Sequence, residues 1–171
     1  MKCFCLGLFI TALMGLVGCS ECQKPIAKPD VTLERVTFAE FVEKVAAQKD
    51  KVVVVDVWGE FCPPCKKKFP HLVKIAKEFA GPDFVAMSLS LDEVDNEGAV
   101  MQFLVQEKAI FANFILVDTD DNKFKGNETI EIGVPPLLHV FDRTGKLVKT
   151  FDNKNSNDEV DQFIRQLIDK K

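Results

Sequence analysis

The stretch VVVVDVWGEFCPPC, residues 52–65, joins an apolar run to two cysteines that are separated by two prolines. The run Val52–Val57 is short, rich in β-branched residues and bounded by charged residues, which predicts a strand buried on both faces. Apolar residues then recur at helical spacing between residues 69 and 79, and a Gly-Pro pair at 81–82 ends the pattern. The two cysteines therefore lie where a buried strand gives way to a helix.

This placement gives the two cysteines different chemistry. Cys62 is expected at or near the helix N-terminus, where unpaired backbone N–H groups and the helix dipole stabilise a thiolate. Cys65, one turn along, can attack a mixed disulfide on Cys62 and release the reduced partner. Pro63 and Pro64 suit the first helical turn, because the amide hydrogens that they lack would have no partner there. From the CPPC residues alone, a reactive pair, a permanent disulfide and half of a metal site remain open.

The rest of the chain alternates between strand-like and helix-like patterns. Capping boxes at Thr37 and Ser156 predict helix starts, and residues 96–108 have helical spacing. The expected further strands are Val31–Val36, Phe84–Leu91, Phe114–Val117, Leu137–Phe141 and Lys146–Phe151. Residues 120–132 are ambiguous between a short helix and irregular structure. The alternation, followed by a hairpin and a helix, predicts an α/β fold with a mixed central sheet and helices on both faces.

The N-terminal segment is predicted to be an export signal and not part of the fold. Residues 6–17 form an apolar run of signal-peptide length, which is short for a membrane span. The sequence Leu-Val-Gly-Cys that ends at Cys19 resembles the bacterial lipobox, which implies cleavage before Cys19 and a lipid on its sulfur. An ordinary signal peptide or an uncleaved anchor is the alternative, and each version exports the domain. The predicted division is a lipoprotein signal peptide at 1–18, a tether at 19–30 and a single domain at 31–171.

Composition limits the function classes. A chain of 171 residues with 47% hydrophobic residues can form one packed domain. The formal charge of −4, with both signs interspersed, gives no broad basic surface, so no nucleic-acid partner is expected. Two of the six cysteines lie in the predicted signal and Cys19 at the proposed lipid site, which leaves Cys22, Cys62 and Cys65. Cys22 lies in the tether and has no obvious partner.

Several motifs together resemble one family. The segment DVWGEFCPPC, residues 56–65, is similar to the active-site segment of thioredoxins, and Pro70 matches the family's kink-forming proline. Gly133-Val134-Pro135 resembles the family's cis-proline loop. The distance from Cys65 to that loop exceeds that of a small thioredoxin by about one strand-helix unit. With the export signal, the chain from Val31 onward resembles the membrane-anchored thioredoxin-like proteins of the TlpA and ResA type, which implies a thioredoxin fold with an extra strand-helix insertion.

The resemblance implies roles for three residues of the redox chemistry. Cys62 would be the nucleophile and Cys65 the resolving thiol. Asp56 occupies the position of a buried acid that exchanges protons with the resolving cysteine, and burial would raise its pKa and so fit it for that task.

The resemblance also implies a substrate-binding surface. Pro135 would face the disulfide after a cis Val134–Pro135 bond, which is plausible because X-Pro bonds have a small cis penalty. The exposed backbone at Val134 would pair with an extended segment of the substrate, as an added strand does. Trp58 would help to shape the surface that the substrate contacts.

Two positions depart from the family pattern. Many anchored cytochrome c maturation reductases have an acid three residues beyond the second cysteine, where this sequence has Lys68. Residues 85–88 contain no lysine to match the one that partners the buried acid in thioredoxins. The run Lys66-Lys67-Lys68 is read as a solvated helix start, or alternatively as charges that favour the Cys62 thiolate or an acidic partner.

These observations predict an exported, lipid-anchored thiol-disulfide oxidoreductase that acts on cysteine-containing proteins of the bacterial cell envelope. The local sequence does not encode the direction of the reaction, and disulfide reduction is favoured over oxidation. Its domain would lie outside the cytoplasm, in the periplasm if the cell has two membranes. A reductase there would need an electron donor in the membrane, because the exterior is oxidising. No cofactor is expected beyond the Cys62–Cys65 disulfide.

The alternative is a non-catalytic or metal-binding lipoprotein of thioredoxin fold. No metal site is expected, because one CxxC and two dispersed histidines lack the ligand spacing of a zinc site. His71 shares a helical face with charged residues and is expected to be solvent-exposed. His139 lies in a predicted strand and is expected to be a satisfied core or edge histidine.

Overall fold

A computed structural model describes residues 31–117 and 132–170, and the N-terminal 1–18 and 19–30 segments lie outside this part. The described strands are β1 Glu34–Val36, β2 Val52–Trp58, β3 Phe84–Ser90, β4 Ala112–Leu116, β5 Leu137–Phe141 and β6 Leu147–Phe151. The described helices are α1 Phe38–Ala46, α2 Pro63–Glu78, α3 Glu97–Glu107 and α4 Asn157–Asp169. Of the ambiguous residues 120–132, only Ile132 is described.

The six described strands form one sheet in the order β1-β4-β3-β2-β5-β6. β1, β4, β3 and β2 run parallel, whereas β5 is antiparallel to β2 and β6 is antiparallel to β5. The mixed sheet and the closing hairpin predicted from the sequence are therefore confirmed. Within the described ranges, no helix combines the length and apolar character needed to cross a bilayer.

Strand β2 is buried at every one of its seven residues. Because side chains alternate across a strand, Val53, Val55 and Val57 pack on the side of α1, against residues such as Phe41. The other face, which includes Trp58, packs against α2, α3 and α4. Asp56 has the same parity as Trp58, so its carboxyl group lies on the face covered by α2.

The ends of the helices follow the capping chemistry expected from the sequence. The Thr37 hydroxyl accepts a hydrogen bond from the Glu40 N–H, and the Glu40 carboxylate accepts one from the Thr37 N–H, at 3.3 and 2.7 Å. Ser156 and Glu159 form the same reciprocal pair at the start of α4. Pro70 lies inside α2. These local signals were sufficient to locate the helix starts.

Trp58 is not on the surface, so its predicted role in shaping the substrate surface is wrong. Its side chain has no exposed area, and its ring centroid lies 4.9 Å from those of both Phe69 and Phe103. The physical reason is that Trp58 is still part of β2, and α2 and α3 close over that face. The three rings form an aromatic cluster that fixes α2 against the end of β2.

We expect Phe69→Ala to destabilise the protein by about 3–5 kcal/mol, because it removes a fully buried ring from this cluster and leaves a cavity. Urea unfolding followed by far-UV circular dichroism measures the loss. Ile110→Ala is the matched control, since Ile110 is 61% exposed and its truncation should change the free energy of unfolding by less than about 0.5 kcal/mol. Equal effects of the two substitutions would show that the aromatic cluster does not anchor α2.

Candidate active site

The two cysteines form a disulfide at the start of α2, with an S–S distance of 2.02 Å and Cα atoms 5.3 Å apart. Cys62 is the N-cap residue of the helix, and its Sγ accepts a hydrogen bond from the Cys65 N–H at 3.3 Å. Cys62 is 6% exposed and Cys65 only 1%. The more exposed of the two cysteines is therefore also the one whose sulfur the helix N-terminus would stabilise as a thiolate.

The turn before the disulfide presents an exposed aromatic ring. Phe61 is 57% exposed, in contrast to the buried Trp58. A Cβ atom at Gly59 would collide with the Phe61 ring, so the absence of a side chain at Gly59 leaves room for that ring. The Gly59 carbonyl also accepts a hydrogen bond from the Cys62 N–H at 3.0 Å. An apolar side chain thus lies at the surface immediately before Cys62.

A buried acid that the sequence reasoning missed holds the same turn in place. Asp92 is 3% exposed, and its carboxylate accepts hydrogen bonds from the Glu60 N–H at 2.8 Å, the Ser90 hydroxyl at 2.7 Å and the Asn96 amide at 3.0 Å. The sequence position of Asp92 could have indicated this role, because an acid that follows a buried parallel strand lies at the sheet edge where loops converge. Asp92 anchors the loop that leads to Cys62.

The cis peptide bond joins Pro135 to Pro136, so the predicted cis Val134–Pro135 bond is wrong. Both bonds precede a proline and both have a small intrinsic cis penalty. The sequence therefore does not show which of the two bonds is cis, and the packing of the loop decides it. Gly133, with φ of 65°, lets the chain turn before them. Val134 is 79% exposed. Pro136, and not Pro135, lines a cavity together with Asp56.

Asp56 is a carboxyl group inside an apolar face of the sheet. It is 5% exposed, and burial raises its pKa to about 7, with an opposing, smaller effect from the positive charge of Lys68. A carboxyl group with this pKa exchanges its proton near neutral pH. The rise in pKa that burial predicted for Asp56 is confirmed, and its role as a proton partner of Cys65 stays a prediction. The lysine whose charge acts on Asp56 is Lys68, which belongs to α2 and not to the neighbouring strand β3.

The three lysines after Cys65 have three different environments. Lys66 forms an ion pair with Glu60 at 2.7 Å, and Lys67 is exposed. The Lys68 side chain contacts the loop between β6 and α4, where its ammonium group donates to the carbonyl oxygens of Asp152 at 2.9 Å and Asn155 at 3.0 Å. The prediction of a solvated helix start is therefore wrong for Lys68, because the β6–α4 loop folds over that helix position.

The two histidines are both in contact with other side chains. His71 Nε2 lies 2.7 Å from the Asp161 carboxylate of α4, and the His71 side chain is only 10% exposed, so the predicted solvent exposure is wrong. The helical pattern could not show that α4 packs on this face. His139 is 2% exposed, as expected of a core histidine, and its Nδ1 lies 2.9 Å from the Thr150 hydroxyl. Burial lowers the pKa of His139 to about 4.

A metal site is the remaining alternative for the cysteines. Across residues 31–117 and 132–170, no three side chains of His, Cys, Asp or Glu come together in a way that could hold a metal ion. The proposed lipid-bearing Cys19 and the tether residue Cys22 lie outside these residues.

The chain belongs to the Redoxin family, whose sequence pattern matches residues 26–167. Thiol-disulfide oxidoreductase ResA of Bacillus thuringiensis is 26% identical over 122 residues, which are 70% of this chain and 65% of that protein. The aligned region thus spans just under two thirds of that relative's length. The match confirms the resemblance to thioredoxin-like proteins of the ResA type.

Solved structures confirm the thioredoxin fold. A thiol:disulfide interchange protein of Chlorobium tepidum is 20% identical, with a TM-score of 0.59 over 72% of this chain and 83% of that one. The pneumococcal exposed lipoprotein thioredoxin of Streptococcus pneumoniae is 27% identical, with a TM-score of 0.54 over 72% of this chain and 90% of that one. The chain therefore has the fold of a thioredoxin-like domain.

Asp56 should make the stability of the protein depend on pH. Its pKa of about 7 when folded exceeds the ordinary value of 3.8, so folding favours the protonated form. Stability is then greatest below pH 4 as far as this group is concerned, and falls as the pH rises from 4 to 7, by up to about 4 kcal/mol.

We expect Asp56→Asn to remove this dependence. The variant should gain stability over the wild type as the pH rises from 4.5 to 8.5, because the amide cannot ionise, and the gain should level off above about pH 8. Urea unfolding of both oxidised proteins at a series of pH values measures the difference. A difference that does not change with pH would show that Asp56 is not held protonated by burial.

Proposed function

We propose that this protein is a thiol-disulfide oxidoreductase that reduces disulfides in other proteins through Cys62 and Cys65. The observation that supports this most is the asymmetry of the pair: Cys62, the more exposed residue, caps a helix and its sulfur accepts an amide hydrogen bond, while Cys65 is almost fully buried. A structural staple has no need of such a difference. Membership of the Redoxin family supports the same activity.

The proposed reaction transfers two electrons from the reduced protein to a substrate disulfide. The Cys62 thiolate attacks one substrate sulfur, a Cys62–substrate bond forms, and the second substrate sulfur leaves as a thiolate that takes up a proton from solvent. The Cys65 thiol then gives its proton to the Asp56 carboxylate and attacks Cys62 Sγ. The Cys62–Cys65 disulfide forms, and the first substrate sulfur leaves as a thiolate that takes up a proton from solvent. The protein is oxidised and the substrate is left with two thiols.

The proposed substrate surface consists of exposed apolar groups in the turn before Cys62 and in the cis-proline loop. Phe61 and Val134 are two of the five large apolar side chains that are exposed in the described part of the chain, and they belong to the turn before Cys62 and to the cis-proline loop. Pro135 has no N–H, so at that position the loop can offer an extended substrate only a carbonyl acceptor. Such a surface suits a flexible segment with apolar residues next to its cysteine.

The proposed location is the outside of the bacterial membrane, with the domain attached through a lipid on Cys19. The lipobox-like sequence before Cys19 supports the attachment, and one solved relative is described as an exposed lipoprotein. The proposed partners are cysteine-containing proteins of the cell envelope. Because that compartment is oxidising, continued reduction requires an electron donor in the membrane that restores the Cys62 and Cys65 thiols.

Cys65→Ala should trap the intermediate of the proposed reaction. Without the resolving thiol, a substrate attacked by Cys62 stays attached, so mixed disulfides should accumulate in cells that express the variant. Non-reducing gel electrophoresis followed by mass spectrometry detects them and identifies the substrates. Cys62→Ala is the matched control and should trap far less. Equal trapping by the two variants, or none by either, would contradict the assignment of Cys62 as nucleophile.

Cys19→Ala should release the protein from the membrane. If Cys19 carries lipid, the variant should lose incorporation of a labelled fatty acid and move from the membrane fraction to the soluble fraction of the cell envelope. Cys22→Ala is the control and should keep both label and location. Persistent labelling of the Cys19→Ala protein would overturn the proposed anchor.

A further inference from the structure

Lys68 lies near the start of α2, on a helix face that has other charged residues, and its side chain is held in one position. Its ammonium group donates to two backbone carbonyl oxygens, those of Asp152 and Asn155, in the loop between β6 and α4. An exposed lysine is free to change rotamer, and fixing it costs side-chain entropy. Two carbonyl acceptors that fix the ammonium therefore place a positive charge at a defined point of the fold.

The Lys68 side chain lies on the same cavity as the buried acid, Asp56. Lys68 and Asp56 line the same cavity of about 30 Å³, together with the cis-proline Pro136. This volume can hold one or two water molecules. In the described part of the chain, no hydrogen bond or ion pair joins the two side chains directly, so they interact across the cavity. Asp152 and Asn157, both exposed, are also among the lining residues, and the cavity therefore reaches the surface.

The other charged groups around this cavity have partners elsewhere. His71 of α2 lines it too, but His71 Nε2 lies 2.7 Å from the Asp161 carboxylate of α4, which also accepts from Lys74 at 2.9 Å. The Asp152 carboxylate accepts from the Lys154 N–H at 2.7 Å. Among the described groups that line the cavity, Lys68 is thus the cation placed to act on Asp56.

We propose that Lys68 is a positioning residue of the redox site: its fixed charge keeps Asp56 available as the carboxylate that accepts the Cys65 proton when the mixed disulfide is resolved. This inference rests on the proposed function. Burial alone favours the protonated acid, which cannot accept a proton, and a positive charge across the cavity favours the carboxylate. The proton passes from the Cys65 thiol to Asp56, and the electron pair that it leaves on sulfur forms the bond to Cys62 Sγ.

The test compares Lys68→Met with Lys67→Met. Both substitutions remove one positive charge from the same helix turn, but Lys67 is exposed, whereas Lys68 lines the cavity. Lys68→Arg is the conservative variant and should restore the wild-type behaviour. The probe is the aromatic disulfide 5,5′-dithiobis(2-nitrobenzoate), which releases one coloured thiolate when the Cys62 thiolate attacks it and a second when Cys65 resolves the mixed disulfide.

In Lys68→Met, the midpoint of the pH dependence of the second release should move upward by about one unit or more, because an opposite charge nearby typically lowers the pKa of an acid by about 1–3 units. Lys67→Met should leave this midpoint unchanged, and Asp56→Asn should abolish the difference between the lysine and methionine proteins at position 68. An unchanged midpoint in Lys68→Met, or an equal shift in Lys67→Met, would overturn the inference.

A second measurement separates this inference from the proposed function. The pH-dependent stability difference between a protein that keeps Asp56 and the matching Asp56→Asn variant reports the pKa of Asp56 without any turnover. This difference should appear at higher pH in the Lys68→Met background than in the wild-type background. If wild type fails to release the second thiolate, the proposed function is wrong. If release occurs but neither readout moves in Lys68→Met, the role of Lys68 is wrong.

Discussion

The complete burial of β2 is the constraint on which the site depends. A strand that is covered on both faces cannot shift its register without moving valines out of two cores at once. Its end therefore fixes where the chain enters the turn with Phe61 and where α2 begins. The ring of Trp58, packed under α2 and α3, fixes that helix start further. Cys62 and Cys65 take their different exposures from this arrangement.

The same burial has an electrostatic consequence at Asp56. A carboxyl group inside the sheet is unfavourable when charged, and the protein meets this cost with a raised pKa rather than with a direct ion pair. A cavity that reaches the surface and a fixed lysine opposite the acid give the proton a route and the carboxylate partial compensation. Stability and proton exchange are therefore linked, because the charge state suited to accepting a proton is also the less stable one.

Much of the fold could be predicted because its signals are local. The apolar run of β2, the capping boxes at Thr37 and Ser156 and the turn that closes the β5–β6 hairpin each depend on a few adjacent residues. The cysteine pair and its helix start are equally local. The cis bond was misplaced by one residue, since adjacent Pro135 and Pro136 look equivalent until the sheet positions them.

The errors at the site have a common cause in tertiary packing. Helical periodicity could place Lys68 and His71 on α2, but it could not show that the β6–α4 loop and α4 cover them. Likewise, the burial of Trp58 depends on α3, which is distant in sequence. A lysine charge near Asp56 was sought on the neighbouring strand, whereas the charge that acts on it comes from Lys68, on the helix that carries the cysteines.

The most direct measurement for the central claim is a redox titration of the folded protein, with free thiols counted at each potential. A catalytic pair predicts one reversible two-electron transition of the native protein, and a reductase predicts that its midpoint lies toward the potential of thioredoxin, roughly −270 mV, or below. A Cys62–Cys65 disulfide that is reduced only when the protein unfolds would be a structural staple and would contradict the account.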